Sequence, residues 1–323
     1  MMLAHTLQRR SVLMLGYPYF ASYVAALVRS QGWSAAYIDC TSSPNRWKRR
    51  AATAAAAAKA LMSDIVYQIG GPLVPPQVVR TCRLRGVPIV LHWVGSDVTD
   101  LRLGDMAREQ IAKANLVHWT DAPWLADELT ASNVRAAVFA FCVAPQLVAP
   151  PMPSNTFTVL AYLPDEKFEF YGGPMVLWLA ERMPEVRFLV VAGIGPSKRT
   201  APANVHFQGW QSNMDAIYAQ THALLRITEH DGLPFMVIEA LNRGRYVLFN
   251  HDVPGATLVH TKEAMLQQLS DLRRRHAEGT LRLNEAGMAY VRTNFAREAV
   301  SQRIVAALES EIERKSGKGP REA

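Results

Sequence analysis

Three acids, a histidine and three arginines crowd the stretch RITEHDGLPFMVIEALNRGRYVLF, Arg226 to Phe249, where an apolar strand turns into an apolar helix. Asp231 and Glu239 stand eight positions apart, one before the helix and one a little over a turn inside it, so both can face one cleft. A carboxylate among FMVIEAL is expensive to bury without a donor. The paired hydroxyls of a ribose or a sugar are such donors, and so are Arg226, Arg243 and Arg245; both pairings stay open. Pro234 suits a first helical turn, where its missing N–H would have no partner, and the N–H groups of that turn, beside Gly232 and Leu233, form a site for phosphate.

These residues have to be positioned by strands and helices, and the chain alternates the two. SVLML (11–15) ends at Gly16 and runs into a helical pattern up to Gly32. AAYID (35–39), DIVYQIG (64–70), VPIVLHW (87–93), ANLVHWT (114–120) and AAVFAFCV (136–143) read as buried strands, with helices between the earlier ones. After the proline-rich stretch 143–155, read as a linker, the same grammar repeats: FTVLAYL, RFLVVAG, NVHFQGW, ALLRIT and YVLFN as strands, and 284–313 as one or two terminal helices. The reading is α/β, with two Rossmann-like doubly wound domains facing a cleft: residues 1–150, residues 151–300, and a helix end with a frayed tail over 301–323. Ligands of such sheets gather at the carboxyl ends of the strands.

The chain of 323 residues suits two domains, and 49% hydrophobic with 20% charged residues is ordinary globular composition. No apolar run of spanning length and no signal peptide is read, and the three well-separated cysteines suit a reducing cytoplasm and form no metal cluster. The expected location is therefore cytoplasmic. The net charge of +7 favours an anionic partner, and RWKRR (46–50) before an alanine-rich helix has the composition for peripheral contact with anionic lipid at the inner membrane face. It equally suits a solvated helix end. No helix-turn-helix or zinc finger accompanies the basic runs, so nucleic acid is not the expected partner.

DGLPFMVIEALNRGRYVL resembles the donor-binding signature of GT-B glycosyltransferases, particularly family 4, written EGFGLPLLEAMACGxPVV. Further stretches resemble that family in the same order: VVAGIGPS with Gly195, NVHFQGW with Gly209 and Trp210, LAYLPDEKFEFYGG with Lys167, and VPIVLHWVGSDV with His92. Asp231 replaces the family's first glutamate, Tyr246 its proline, and Tyr162 the arginine that partners the family's lysine.

The resemblance implies transfer of a sugar from a nucleoside-diphosphate sugar, UDP or GDP, with retention and without a metal or other cofactor. Lys167, with Arg226 as substitute cation and the N–H groups near Gly232 and Leu233, would hold the diphosphate. Glu239 would bind the ribose, Asp231 the donor sugar, Gly209 and Trp210 the base, and Gly16 would approach the phosphates or the acceptor. His92 would stand near the sugar or the acceptor hydroxyl; a core histidine oriented by Asp97 is the competing reading. The acceptor stays open among a glycan end, a lipid-linked sugar and a small molecule. A sugar-nucleotide epimerase, and a degenerate relative that binds the nucleotide sugar or scaffolds a complex, are the other readings.

Overall fold

The computed structural model describes residues 9–71, 74–103, 116–154, 156–195 and 201–316. Two compact units emerge, one of residues 1–143 with 297–323, the other of residues 144–296. The tail beyond Ser316, Asn155, and the Pro196 and Ser197 of VVAGIGPS lie outside the described residues.

The first unit is a parallel sheet of six strands in the order β2-β1-β3-β4-β5-β6. They are β1 (Ser11–Gly16), β2 (Ser34–Tyr37), β3 (Ile65–Ile69), β4 (Ile89–Trp93), β5 (Val117–Thr120) and β6 (Ala137–Val138). Helices α1 (Pro18–Ser30), α2 (Arg46–Ala60), α3 (Pro76–Arg85), α4 (Ser96–Leu103) and α5 (Pro123–Ala131) connect them. β3 and β4 are buried at every position, as central parallel strands covered on both faces must be. Helices α2 and α3 lie side by side, closing Ala56, Ala60, Val78 and Cys82 over Leu13, Leu15, Val66 and Ile89. The apolar run AAVFAFCV yields only a two-residue edge strand; Phe141 and Cys142 leave the ladder to fill the core instead.

The second unit repeats the design in the order β12-β11-β10-β7-β8-β9, again all parallel. Its strands are β7 (Thr158–Tyr162), β8 (Arg187–Val191), β9 (Val205–Phe207), β10 (Ala223–Arg226), β11 (Tyr246–Phe249) and β12 (Thr257–Leu258). Its helices are α6 (Gly173–Arg182), α7 (Met214–Ala219), α8 (Phe235–Asn242), α9 (Lys262–Ala277) and α10 (Glu285–Asn294). The final helix α11 (Arg297–Lys315) belongs to the first unit, where it packs on α1 and Arg303 donates to the carbonyl of Ala140 at 3.3 Å. Strand order reverses at β1/β3 in one sheet and at β7/β10 in the other. A doubly wound sheet opens its ligand crevice at such a reversal.

The proline-rich stretch is clipped to the second unit rather than hanging free. Asn242 donates to the carbonyl of Pro145 (2.9 Å), the fully buried Arg245 to those of Pro150 and Pro151 (3.3 and 3.2 Å), and Nε2 of His222 lies 3.0 Å from that of Pro153. Arg245 meets carbonyls where a carboxylate would be usual, and burial with Arg243 nearby lowers its pKa to about 10. Arg245→Met should open this strap, detected as faster proteolysis within 144–153 while the rest of the chain stays resistant.

Three histidines, two of them buried and one partly so, make the fold sensitive to acid. Burial lowers His92 to about 3, and His118 and His222 to about 4. Below the ordinary histidine pKa the unfolded chain takes up protons that the native chain refuses, so stability is lost as pH falls from 6.5 toward 4. Asp97 acts in the opposite sense, because burial raises it to about 6 and the native state then binds its proton first. Three groups outweigh one. The unfolding free energy should fall steadily from pH 7 to pH 5, by about 1.4 kcal/mol per pH unit for each uncompensated proton, with the melting temperature following, and His222→Gln should flatten the slope.

Candidate functional site

The reversal point of the second sheet gathers charged and aromatic side chains, Arg226, Asp231, Tyr162 and Tyr171. Leu225 pairs with Ala161, so the next residues along, Arg226 and Tyr162, stand together at the carboxyl edge. The Arg226 guanidinium lies 5.3 Å from the Tyr162 ring centroid and 4.8 Å from that of Tyr171, and the two rings meet edge to face at 5.2 Å. Its Nε and Nη2 donate to Oδ2 of Asp231 at 2.9 and 2.5 Å. Arg226 is 7% exposed, so the ion pair and the ring faces hold it in one rotamer. Tyr162 stands where the family resemblance puts an arginine, yet the adjacent strand returns a guanidinium to its ring. Asp231 is correspondingly engaged with Arg226.

Glu239 is half-buried on α8 and is not paired through its carboxylate with any of the three candidate arginines. The buried Tyr218 hydroxyl donates to its Oε2 at 2.8 Å. Arg243 reaches the backbone carbonyl of Glu239 at 3.0 Å, pairs with Asp215 and stacks 4.8 Å from the Tyr218 ring centroid. Burial and the neighbouring Glu239 keep Tyr218 protonated far above neutral pH. It therefore remains a donor, and the carboxylate keeps lone pairs for a further one.

Around this pair the loops are tightly built. Pro234 caps α8 in extended conformation instead of opening its first turn, and Gly232, Leu233 and Pro234 are buried. Lys167 closes a short 3₁₀ turn (Asp165–Lys167) and is exposed, its Nζ 5.5 Å from the Phe170 ring centroid. The loop after β8 binds an internal anion: Asp165 accepts from the successive N–H groups of Ile194 and Gly195, both at 3.1 Å. The N–H of Gly195 is thus already used. Gly209 lies against that loop, its N–H donating to the carbonyl of Gly193 at 3.0 Å, and the neighbouring Trp210 is 79% exposed.

The first unit places its two residues differently. The N–H of Tyr17 donates to the Ile69 carbonyl at 2.8 Å, and a Cβ on Gly16 would stand 2.0 Å from that same oxygen, so Gly16 seals the β1/β3 reversal point by backbone contact. His92 is fully enclosed, against Tyr67, Trp119 and Phe141; its Nδ1 lies 2.6 Å from the Tyr67 hydroxyl oxygen, while its Nε2 has no hydrogen-bond partner among the described residues. That is the setting of a neutral core histidine. Asp97 does not orient it, because its carboxylate accepts from the N–H of Val94 at 3.1 and 3.2 Å.

Sequence reasoning missed Tyr171, Tyr218, Asp165 and Asp215. The signal available for Tyr171 and Asp165 was their place either side of Lys167; Tyr218 and Asp215, on a separate helix, offered none. Among the described residues no group of three or more acids, histidines or cysteines could hold a metal ion.

No protein-family model and no curated protein matches the chain in sequence. Solved structures do. Anabaena HepE, in complex with UDP and glucose, is similar over 93% of this chain and 99% of its own, at a TM-score of 0.65 and 12% identity. Sucrose-phosphate synthase from Thermosynechococcus elongatus is similar over 93% and 98%, at 0.71 and 12%. UDP-GlcNAc 2-epimerase from Neisseria meningitidis, bound to UDP-GlcNAc, is similar over 93% and 99%, at 0.54 and 12%. The chain has the GT-B fold. Its units are the two Rossmann-like domains of that fold, and at such identities the likeness is one of architecture.

The Arg226–Asp231 pair should behave as a unit. Asp231→Asn leaves a nearly buried guanidinium without its counter-charge and should cost about 3 kcal/mol in a denaturant titration, whereas exposed Glu166→Gln should change stability by less than about 0.5 kcal/mol.

Proposed function

We propose that this chain is a glycosyltransferase that moves a sugar from a nucleoside-diphosphate sugar to an acceptor hydroxyl. The observation that carries the reading is the guanidinium of Arg226, held between two tyrosines at the reversal point of the second sheet, where a GT-B domain receives its donor. A leaving diphosphate gathers negative charge as its bond to the anomeric carbon breaks, and fixed cations aimed there are the strongest available aid. Arg226 supplies the charge that Tyr162 lacks, and Lys167, on an exposed turn nearby in sequence to Tyr162 and Tyr171, supplies a second. With two cations on the diphosphate, transfer proceeds without a divalent metal.

Glu239, with Tyr218 on one oxygen, accepts from the ribose hydroxyls, and exposed Trp210 beside Gly209 stacks on the base, uracil or guanine. Asp231 turns from Arg226 to a hydroxyl of the donor sugar as the diphosphate arrives, so one side chain exchanges partners with the other. His92, neutral and buried, offers Nε2 to a hydroxyl only if the segment around it opens. Retention of the anomeric configuration, an acceptor among a glycan, a lipid-linked sugar and a small molecule, and a cytoplasmic location complete the reading.

A second reading has its own support, since an epimerase bound to a UDP-sugar shares the architecture. Turnover separates them: a transferase releases free nucleoside diphosphate with a new glycosidic bond, and an epimerase releases UDP only with a free sugar or changes the sugar's stereochemistry. A chain that binds nucleotide without either reaction is the degenerate relative.

A thermal-shift panel of UDP, GDP and their sugars, with and without a chelator, tests the donor class. One base should raise the melting temperature selectively, and the chelator should leave that shift intact. Arg226→Met should weaken nucleoside diphosphate binding at least tenfold while leaving nucleoside binding nearly unchanged, and Glu239→Ala should weaken both. Indifference of the wild-type chain to every nucleotide would overturn the proposal.

A further inference from the structure

The excess of positive over negative charge is concentrated in one stretch of this chain. Residues 40–96 hold eight of the 35 Lys and Arg residues and one of the 28 Asp and Glu residues, which leaves 27 of each in the rest of the chain. The net charge of +7 therefore comes from a segment that folds into α2, β3, α3 and β4. Its strands are buried, so the charge is displayed by the two neighbouring helices and their ends. The single acid, Asp64, is occupied at the edge, accepting from the N–H and hydroxyl of Ser11 at 2.7 and 2.8 Å.

Apolar side chains project from the same helices and from the turn that follows α2. Trp47 is 60% exposed, Met62 75% and Leu84 82%. Trp47 lies between the guanidinium groups of Arg46 and Arg50, 4.8 and 5.2 Å from its ring centroid. The side chain of Asn45 fixes this turn by accepting from the N–H groups of Trp47 and Lys48 at 2.9 and 3.3 Å. Four cations open α2, at the end where the helix dipole is already positive, and no acid offsets them in that turn. The alanines that follow, several of them exposed, keep the helix flank low enough to lie flat on a surface.

We propose that the α2–α3 face docks on an anionic lipid bilayer. The cations meet the headgroup phosphates while Trp47, Met62 and Leu84 enter the boundary between headgroups and acyl chains. Cations alone would suit a nucleic acid equally. The exposed apolar tips decide for lipid, since a phosphate backbone gives them nothing to enter. This inference stands independently of the glycosyltransferase reading, because none of its residues belongs to the candidate site.

The test is sedimentation of the full chain with large unilamellar vesicles, of phosphatidylcholine alone or containing about a third phosphatidylglycerol. The chain should partition onto the anionic vesicles and not the neutral ones, and should be released by raising the salt. R46E/R50E should lower the partition coefficient more than tenfold, and Trp47→Ala or Leu84→Ser should lower it severalfold without changing its salt dependence. Matching melting temperatures identify folded variants, and the salt titration of the wild-type chain needs no variant. Equal binding to neutral vesicles, absence of binding to either, or competition in which duplex DNA strips the chain from vesicles at equal phosphate concentration would each overturn the proposal.

Discussion

The contact on which the candidate site depends is that of one guanidinium with two tyrosine rings and one carboxylate. Arg226 ends a strand buried on both faces, and a lone cation there would be intolerable without partners. Tyr162 and Tyr171 give it π faces, Asp231 gives it a counter-charge, and the three come from β7, the turn after it, and the loop after β10. Their union ties together the two strands at which the sheet reverses its order. The loop of residues 229 to 234 is held in place by the same contacts, helped by the N–H of Glu229 donating to the carbonyl of Phe170 at 3.0 Å.

The geometry also shows how a chain with tyrosine at 162, where the resembled signature has arginine, still places a cation at that strand end. An arginine at 162 and an arginine at 226 would stand side by side on paired strands, and two like charges that close repel. With tyrosine at 162 the arginine at 226 gains a ring face instead of a competitor. The carboxylate at 231, one methylene shorter than glutamate, meets Arg226 from the following loop. Substitutions that look like departures from a motif therefore form one consistent set, which is the expectation for groups that touch.

Much of the fold was legible because parallel sheets write themselves in continuous apolar runs. SVLML, VPIVLHW and RFLVVAG are strands that cannot face water, and the glycines after them mark their carboxyl ends. AAVFAFCV misled for the same reason: an apolar run records burial, and Phe141 is buried beside His92 without belonging to a strand. The proline-rich stretch reads as a linker in the sequence because its anchors, Asn242, Arg245 and His222, lie far along the chain. Charge was harder to read than apolarity. Glu239 showed that it needed a donor but not that the donor would be Tyr218, 21 residues earlier, since a hydrogen bond between two helices leaves no periodic trace. His92 and Asp97 share a motif and proximity in sequence, yet the fold gives one to Tyr67 and the other to the N–H of Val94.

A crystal structure of the chain soaked with UDP examines the central contact most directly. The account predicts the β-phosphate hydrogen-bonded to the Arg226 guanidinium, with Tyr162 and Tyr171 still against its faces and Asp231 turned away. UDP bound with its diphosphate remote from Arg226, and the Arg226–Asp231 pair still closed, would contradict it.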